Sequence, residues 1–179
     1  MREESFSQCE EYSLFVGSNF FANQEGISWF IREVAPHITI QVWIVGSICK
    51  FIQRKFGITL PANIKLLGIV DDLDQIYQNA SCVISPIFSG SGLKTKSIEA
   101  LAFGKTLLGT NEAFQGIECD PFQIGSLCNT AEEFIKELNA INITKKVNEH
   151  ALRFFENNFS HEVIFHQFNV FIRKNGFSI

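Results

Sequence analysis

Residues 80–108 read ASCVISPIFSGSGLKTKSIEALAFGKTLL. The first part, Ala80 to Ser85, is short and apolar, as expected of a buried strand, and Pro86 ends it. A glycine-rich turn follows, and the apolar residues from Lys94 to Phe103 recur at helical spacing. A second short apolar run, Thr106 to Leu108, completes the segment. Strand, turn, helix and strand in this order predict a right-handed crossover between two parallel strands.

The same alternation continues on both sides of this segment. We expect strands at 12–16, 40–45, 63–67, 80–85, 106–108 and 123–127. We expect helices at 24–34, 48–56 and 94–103, a short helix capped by Asp71 or Asp72, and further helices from Ala131 onward. Strands separated by helices predict a parallel sheet with helices on both faces. The fold class is therefore α/β, a three-layer Rossmann-like domain with about six strands.

The length of the chain favours a single domain that spans all of it. The 179 residues fit a single domain, with residues 1–11 as a polar lead-in. The C-terminal helix, residues 159–179, carries Val163, Phe165, Phe168 and Ile172 on more than one face. A terminal helix of a lone domain should be amphipathic. Two interpretations remain open: the helix is deeply packed here, or part of it covers another domain.

Charge and cysteine usage limit the function classes. The formal net charge of −4 gives no reason to expect nucleic acid or an anionic membrane as the main partner. The five cysteines lack zinc-ligand or redox spacing, and Cys82 suits a buried thiol, which favours a reducing cytoplasm. No signal-peptide core lies in Met1 to Glu11, and no apolar run approaches the ~20 residues of a membrane span. We expect a cytoplasmic chain that meets the inner face of a membrane, if at all, only through the full-length protein.

The turn after the first strand excludes several cofactors. Ligands of open parallel sheets bind beyond the carboxyl ends of the strands. There the sequence has Gly17-Ser18-Asn19-Phe20, without the G-x-G-x-x-G dinucleotide fingerprint and without a P-loop. This argues against a nicotinamide, flavin or P-loop enzyme. The missing side chain of Gly17 would let a phosphate approach backbone amides.

The turn after the fourth strand combines features of an anion site and a diol site. Lys94 and Lys96 stand in the first helical turn, where cations oppose the helix dipole unless an anion is nearby. Glu99 lies one turn deeper, where a carboxylate could accept bonds from two vicinal ribose hydroxyls. Taken singly, these residues also suit solvated lysines and a Lys96–Glu99 pair. Taken together with the glycine-rich turn, they favour a nucleotide diphosphate.

Residues 12 to about 155 resemble the C-terminal, donor-binding domain of glycosyltransferase family 4, which has the two-domain GT-B fold. The matching segments are residues 14–17, 42–46, 67–73, 80–86 and 90–104. The last resembles the motif G-x-G-x-[RK]-x-K-x-x-E-A-x-A-x-G and is the most specific. The resemblance implies half of a retaining glycosyltransferase whose substrate is a nucleotide sugar, with UDP, GDP or ADP as its nucleotide.

Roles for individual residues come from this resemblance. It implies that Glu99, the second acid of the E-x7-E motif, binds the donor ribose, while Lys94 and Lys96 face the diphosphate. The other positions that it implies are Gly17 at the phosphate-side turn, Ile69 and Val70 for the base, and Ser89, Gly90, Ser91 and Gly92 around the donor sugar. Ser18, Leu93 and Thr95 are expected to bind the donor as well. It implies no metal and no cofactor, because the helix dipole and cations stabilise the departing diphosphate.

The sequence departs from the family pattern in two places. The first acid of the E-x7-E motif falls at Ser91, which carries no charge and puts the handling of the sugar in question. Many members also carry a basic pair after strand one, where this chain has Asn23 and Gln24. We hypothesise that Lys94 and Lys96 supply the missing charge.

The resemblance also implies what surrounds this domain. An N-terminal acceptor domain would precede Met1, so that this chain alone binds donor without transferring sugar. The acceptor would be a glycan, polysaccharide or lipid-linked molecule, as in cell-surface polysaccharide biosynthesis. Two alternatives remain open: a sugar-nucleotide epimerase of the same fold, and a non-catalytic or degenerate GT-B-like binding module.

Overall fold

A computed structural model describes residues 11–141 and 147–174 of the chain. Its strands form one parallel sheet with the order β3-β2-β1-β4-β5-β6. The strands are β1 Tyr12–Val16, β2 Gln41–Val45, β3 Ile64–Gly68, β4 Cys82–Ser85, β5 Leu107–Gly109 and β6 Gly125–Leu127. The predicted fold class, a parallel α/β sheet of six strands, is confirmed.

Helices cover both faces of this sheet. They are α1 Phe21–Glu33, α2 Ile48–Phe56, α3 Leu73–Asn79, α4 Thr95–Ala102, α5 Pro121–Ile124, α6 Ala131–Ala140, α7 Glu149–Asn158 and α8 His161–Lys174. Buried residues of α1, α2 and α6 pack in one apolar cluster, and those of α3, α4, α5 and α7 pack in another. The domain therefore has the three predicted layers.

The two clusters follow from the alternation of side chains along each strand. Cys82 and Ile84 of β4 lie in the first cluster, whereas Val83 between them lies in the second. Leu14 and Phe15 of β1 divide in the same way, and all five side chains are fully buried. A strand buried on both faces reads as a continuous apolar run, which is why the central strands were identifiable from sequence.

Most differences from the predicted bounds have a local cause. β4 begins at Cys82 rather than Ala80, because the Ala80 amide still donates to the carbonyls of Ile76 and Tyr77 at the end of α3. The predicted strand 123–127 is wrong in its first two residues, which belong to α5. That short helix forms because the Asp120 carboxylate accepts a hydrogen bond from the Phe122 amide at 3.1 Å.

The C-terminal helix lies on the surface. None of the described residues of α8 is buried, and Phe165, Phe168 and Phe171 are each more than half exposed. The interpretation that this helix is deeply packed in the domain is therefore wrong. No described helix has the length and hydropathy needed to cross a membrane.

Candidate functional site

The candidate site lies where β1 and β4 are neighbours. Ser13 pairs with Cys82 and Leu14 with Val83, so these two strands end side by side. From β1 the chain continues to β2 on one side, and from β4 it continues to β5 on the other. This reversal separates the loops after the two strands and leaves a crevice between them, which is where open parallel sheets bind their ligands.

The turn after β1 is tightly packed. The Gly17 amide donates to the Val45 carbonyl at 2.9 Å, so it belongs to the sheet and is not presented to a ligand. A Cβ atom on Gly17 would lie 2.7 Å from the Phe15 ring and 3.3 Å from Cγ of Asn23. Glycine is therefore required here by packing. The Gly17 amide itself is therefore engaged, and the expectation that its missing side chain lets a phosphate approach backbone amides stays a prediction.

Asn23 connects this turn to the opposite side of the crevice. It lies in the first turns of α1, which begins three residues earlier than the predicted Gln24. Its Nδ2 donates to the Ser18 carbonyl at 3.0 Å, and its Oδ1 accepts a hydrogen bond from Nζ of Lys96. Because both ends of the amide are engaged, Asn23 fixes the position of the lysine ammonium group relative to the turn.

The loop after β4 passes directly beside α1. A Cβ atom on Gly26 would lie 1.7 Å from the Pro86 carbonyl oxygen, so the helix can approach only because residue 26 is glycine. Farther along the loop, the Ser89 hydroxyl donates to Oε2 of Glu25 at 2.8 Å. Gly90 and Gly92 have φ angles of 123° and 71°, a conformation that favours glycine.

Lys94 fastens this loop to the one after β5. It is the residue immediately before α4, and its Nζ donates to the Gly92 carbonyl at 2.8 Å and to Oε1 of Gln115 at 3.2 Å. Its Nζ also lies 3.5 Å from Oε2 of Glu112. These partners occupy its ammonium group within the protein.

Lys96 has a different environment. It lies in the first turn of α4 and only 9% of it is exposed. Nζ lies 4.7 Å from the centre of the Phe15 ring and donates to Asn23. Burial lowers the pKa of Lys96 to about 8; the charge of Glu99 raises that pKa in part, and the charge of Lys94 lowers it further. An anion beside this ammonium group would replace part of the hydration lost on folding.

Glu99 accepts a hydrogen bond deeper in α4. The Tyr77 hydroxyl donates to its Oε2 at 2.8 Å, and the Tyr77 ring stacks on Phe103 at 4.8 Å. Burial, together with the charge of Glu99, raises the pKa of Tyr77. The tyrosine therefore stays protonated and orients the carboxylate, whose other oxygen is available to accept further hydrogen bonds.

The other predicted site residues have less defined surroundings. Ile69 follows β3 and is 80% exposed, whereas Val70 packs against the second apolar cluster. Both are separated from the crevice by β2 and are not brought into contact with Lys96. The remaining predicted positions on the loop after β4 that are exposed are Gly90, Ser91, Gly92, Leu93 and Thr95.

Four residues of the site were not among the predicted ones. Asn23 escaped because α1 was predicted to begin at Gln24, which left Asn23 outside the helix. Glu25 lay inside the predicted helix, but its partner Ser89 is 64 residues away along the chain. Tyr77 carried the helical spacing of a core residue, and nothing in the sequence linked it to Glu99. Gln115 lies in an irregular segment. Among the described residues, no three His, Cys, Asp or Glu side chains are grouped so that they could hold a metal ion.

Similarity to known proteins identifies the family of the chain. The profile of the family described as glycosyl transferases group 1 matches residues 10–141. An uncharacterized 44.6 kDa protein in the cps region of Klebsiella pneumoniae is 24% identical over 170 residues, which is 85% of this chain and 43% of that protein.

Solved structures show the same fold. A glycosyltransferase from Rickettsia africae superposes with a TM-score of 0.73 at 17% identity, covering 94% of this chain and 48% of its own. Anabaena Alr3699/HepE, solved in complex with UDP, gives 0.70 at 16% identity, with 92% and 49% covered. The chain thus spans about half the length of these relatives. Its fold is that of a GT-B glycosyltransferase domain, and the chain belongs to the glycosyl transferases group 1 family.

Proposed function

We propose that this chain is the donor-binding domain of a retaining glycosyltransferase of family 4. The observation that carries the proposal is the placement of Lys96. Its buried ammonium group lies between the start of α4 and the turn after β1, at the point where the strand order reverses. A buried cation in a ligand crevice is costly unless an anion joins it, and the diphosphate of a nucleotide sugar is such an anion.

The placement of the other donor groups follows from the position of the diphosphate at Lys96. The diphosphate lies at the N-terminal end of α4, whose unpaired amides and dipole favour negative charge. Glu99, oriented by Tyr77, accepts hydrogen bonds from the two ribose hydroxyls. The nucleobase extends toward the loop after β3, where Ile69 is exposed. The sugar then lies along the loop after β4, beside Ser89 and Gly90.

This arrangement stabilises the leaving group of a transfer reaction. When the bond between the sugar and the diphosphate breaks, negative charge grows on the departing phosphate oxygens. Lys96 and the α4 amides are already in place, so no rearrangement is needed as the charge develops. A hydrogen bond to a charged group contributes about 1.5–3 kcal/mol net. We propose that these groups act without a metal ion or other cofactor.

Lys96 also bears on the missing basic pair after β1. The chain has Asn23 and Gln24 where a pair of cations was expected, and Asn23 accepts a hydrogen bond from Lys96. A lysine from the first turn of α4 thereby reaches the place that the pair would occupy. This supports the hypothesis that Lys96 supplies the missing charge, and it weakens the alternative of a degenerate binding module. Lys94, held by Gln115 and Glu112, supplies less of that charge.

The proposal includes a separate acceptor-binding domain. The chain spans about half the length of its relatives, and α8 exposes an apolar surface that such a domain would cover. That domain would select a glycan, polysaccharide or lipid-linked acceptor, and contact with a membrane would occur through the full-length protein. UDP in the related Anabaena structure makes UDP sugars the first donors to test, followed by GDP and ADP sugars.

Isothermal titration calorimetry of the chain with UDP, GDP and ADP tests the proposal. The titrations are made in EDTA and then with magnesium, using the wild type, Lys96→Ala and Glu99→Ala. Lys136→Ala provides a matched control, because Lys136 is an exposed lysine on α6. We expect one nucleotide to bind without metal, Lys96→Ala and Glu99→Ala to weaken it, and Lys136→Ala to leave it unchanged.

Two results would contradict the proposal. Binding that appears only with magnesium would exclude the metal-independent site. Binding of no nucleotide by this chain, repeated with the full-length protein, would exclude a donor domain and leave the non-catalytic module. Turnover of a nucleotide sugar without any acceptor would favour the epimerase instead.

A further inference from the structure

Two carboxylates lie close along their helices to the buried Lys96 or to its partner Asn23. Glu99 lies three residues beyond Lys96 on α4. On the other side, Lys96 donates to Asn23, and Glu25 follows two residues later on α1. Glu25 is exposed and its Oε2 accepts a hydrogen bond from Ser89 at 2.8 Å. Along this path, from α4 through Lys96 and Asn23 to α1, the order is therefore carboxylate, ammonium group, carboxylate.

Asn23 and Glu25 face different parts of the site. Asn23 and Glu25 leave α1 about 200° apart around the helix axis, because successive residues are related by about 100°. Asn23 contacts Lys96 and the turn after β1, whereas Glu25 contacts the loop after β4. Glu25 thus faces the loop after β4, where Ser89 immediately precedes the turn formed by Gly90, Ser91 and Gly92.

This order matches the order of groups in a nucleotide sugar. Such a molecule has a charged diphosphate in its centre, a ribose with two hydroxyls on one side and a polyhydroxyl sugar on the other. With the diphosphate at Lys96 and the ribose at Glu99, the sugar hydroxyls meet the next acceptor on the opposite side. Carboxylates accept hydrogen bonds from hydroxyls at about twice the strength of neutral acceptors.

We propose that Glu25 binds hydroxyl groups of the donor sugar and selects which sugar is accepted. This inference rests on the proposed function, since it takes Lys96 and Glu99 as the sites of diphosphate and ribose. It also accounts for the uncharged Ser91, because α1 supplies the carboxylate in place of the glycine-rich turn. Ser89 holds Glu25 toward the loop and restricts its rotamers.

Calorimetry with two ligands separates this role from nucleotide binding. The nucleoside diphosphate that binds the wild type is compared with its glucose, galactose and N-acetylglucosamine conjugates, and the tightest conjugate is kept. We expect Glu25→Ala to weaken binding of that conjugate about tenfold while affinity for the bare nucleoside diphosphate does not fall. Glu33→Ala, an exposed acid near the end of the same helix, should alter neither.

Glu25→Gln distinguishes a side chain that binds the sugar from one that only anchors the loop. The amide keeps an oxygen that can accept from the Ser89 hydroxyl but loses the charge. We expect it to weaken the conjugate about threefold. Wild-type affinity for the conjugate in Glu25→Gln would mean that Glu25 only anchors Ser89 and would overturn the inference, as would equal losses for conjugate and bare nucleotide. Failure of the wild type to bind any nucleotide would instead overturn the proposed function, and this inference with it.

Discussion

The two sides of the α4 N-terminus use the same residue type for different purposes. Toward β5, Lys94 contacts Gly92, Gln115 and Glu112, so its charged group joins two loops of the protein. Toward β1, Lys96 is buried against Phe15 with the neutral Asn23 as its hydrogen-bond partner. One lysine has its charge balanced inside the protein, and we propose that a ligand balances the charge of the other.

This difference shows how burial decides the function of a charge. A partly exposed lysine with a carboxylate nearby contributes modestly to stability. A buried lysine without a carboxylate in contact is destabilising, and proteins keep such groups where function needs them. The lowered pKa of Lys96 expresses this cost. The two lysines should therefore respond differently to every measurement that follows.

Substitutions of Lys94 and Lys96 should differ most in their effect on nucleotide affinity. We expect Lys96→Ala to weaken nucleoside diphosphate binding by about 100-fold, since it removes a preorganised charge in a poorly hydrated site. Lys94→Ala should weaken it by less than about tenfold, through loosening of the loop. Calorimetry on both variants gives the comparison, and equal losses would show that the two lysines share the anion.

The ribose contact should give the next largest effect. We expect Glu99→Ala to weaken binding of the ribonucleotide about tenfold and to leave the 2′,3′-dideoxy nucleotide unchanged. In the wild type the dideoxy nucleotide should bind about tenfold more weakly. Glu132→Ala, an exposed acid on α6, is the matched control. Equal wild-type affinity for the two nucleotides would show that Glu99 does not bind the ribose.

Affinity should also depend on pH because only the charged form of Lys96 attracts the diphosphate. With its pKa near 8, Lys96 is largely charged at pH 7 and largely neutral at pH 9. Affinity should then be nearly constant up to pH 7.5 and fall by up to about tenfold per pH unit above 8. Lys96→Arg, whose guanidinium stays charged, should abolish the fall. A fall that persists in Lys96→Arg would assign the titration to another group.

Stability should show the smallest effect but with opposite signs for the two lysines. The folded pKa of Lys96 is lowered to about 8 from 10.5, so burying its charge costs free energy below pH 8 and costs nothing above pH 10.5. Lys96→Met should raise the free energy of unfolding by roughly 1–2 kcal/mol at pH 7 and by less at pH 10. Lys94→Met should lower it by about 1 kcal/mol. Urea denaturation at both pH values measures this, and destabilisation by Lys96→Met would contradict the account.

Much of the fold could be predicted because its signals are local. Continuous apolar runs such as Cys82 to Ser85 mark buried strands, and the glycines and caps between them mark turns. The error at β6 concerns Gln123 and Ile124, because a single apolar residue suits a helix as well as a strand and Pro121 at the first position favours the helix. The exposure of α8 was left open because apolar content does not specify what covers it.

The site could be located from sequence but its contacts could not. Lys96 and Glu99 were expected at the end of β4 from the motif. Their partners lie far away along the chain: Asn23 is 73 residues from Lys96, and Tyr77 is 22 residues from Glu99. Such pairings depend on which loops the sheet order brings together. The division of labour between Lys94 and Lys96 likewise required the side-chain directions.

The central claim is that the Lys96 ammonium group binds the donor diphosphate. Heteronuclear NMR of lysine side-chain nitrogens, with the Lys96 signal assigned from Lys96→Arg, can follow its titration with and without UDP, GDP or ADP. We predict a pKa near 8 for Lys96 in the free protein and a clear increase when the nucleotide that binds is present at saturation. An unchanged pKa in the saturated complex would show that the anion lies elsewhere and would contradict the account.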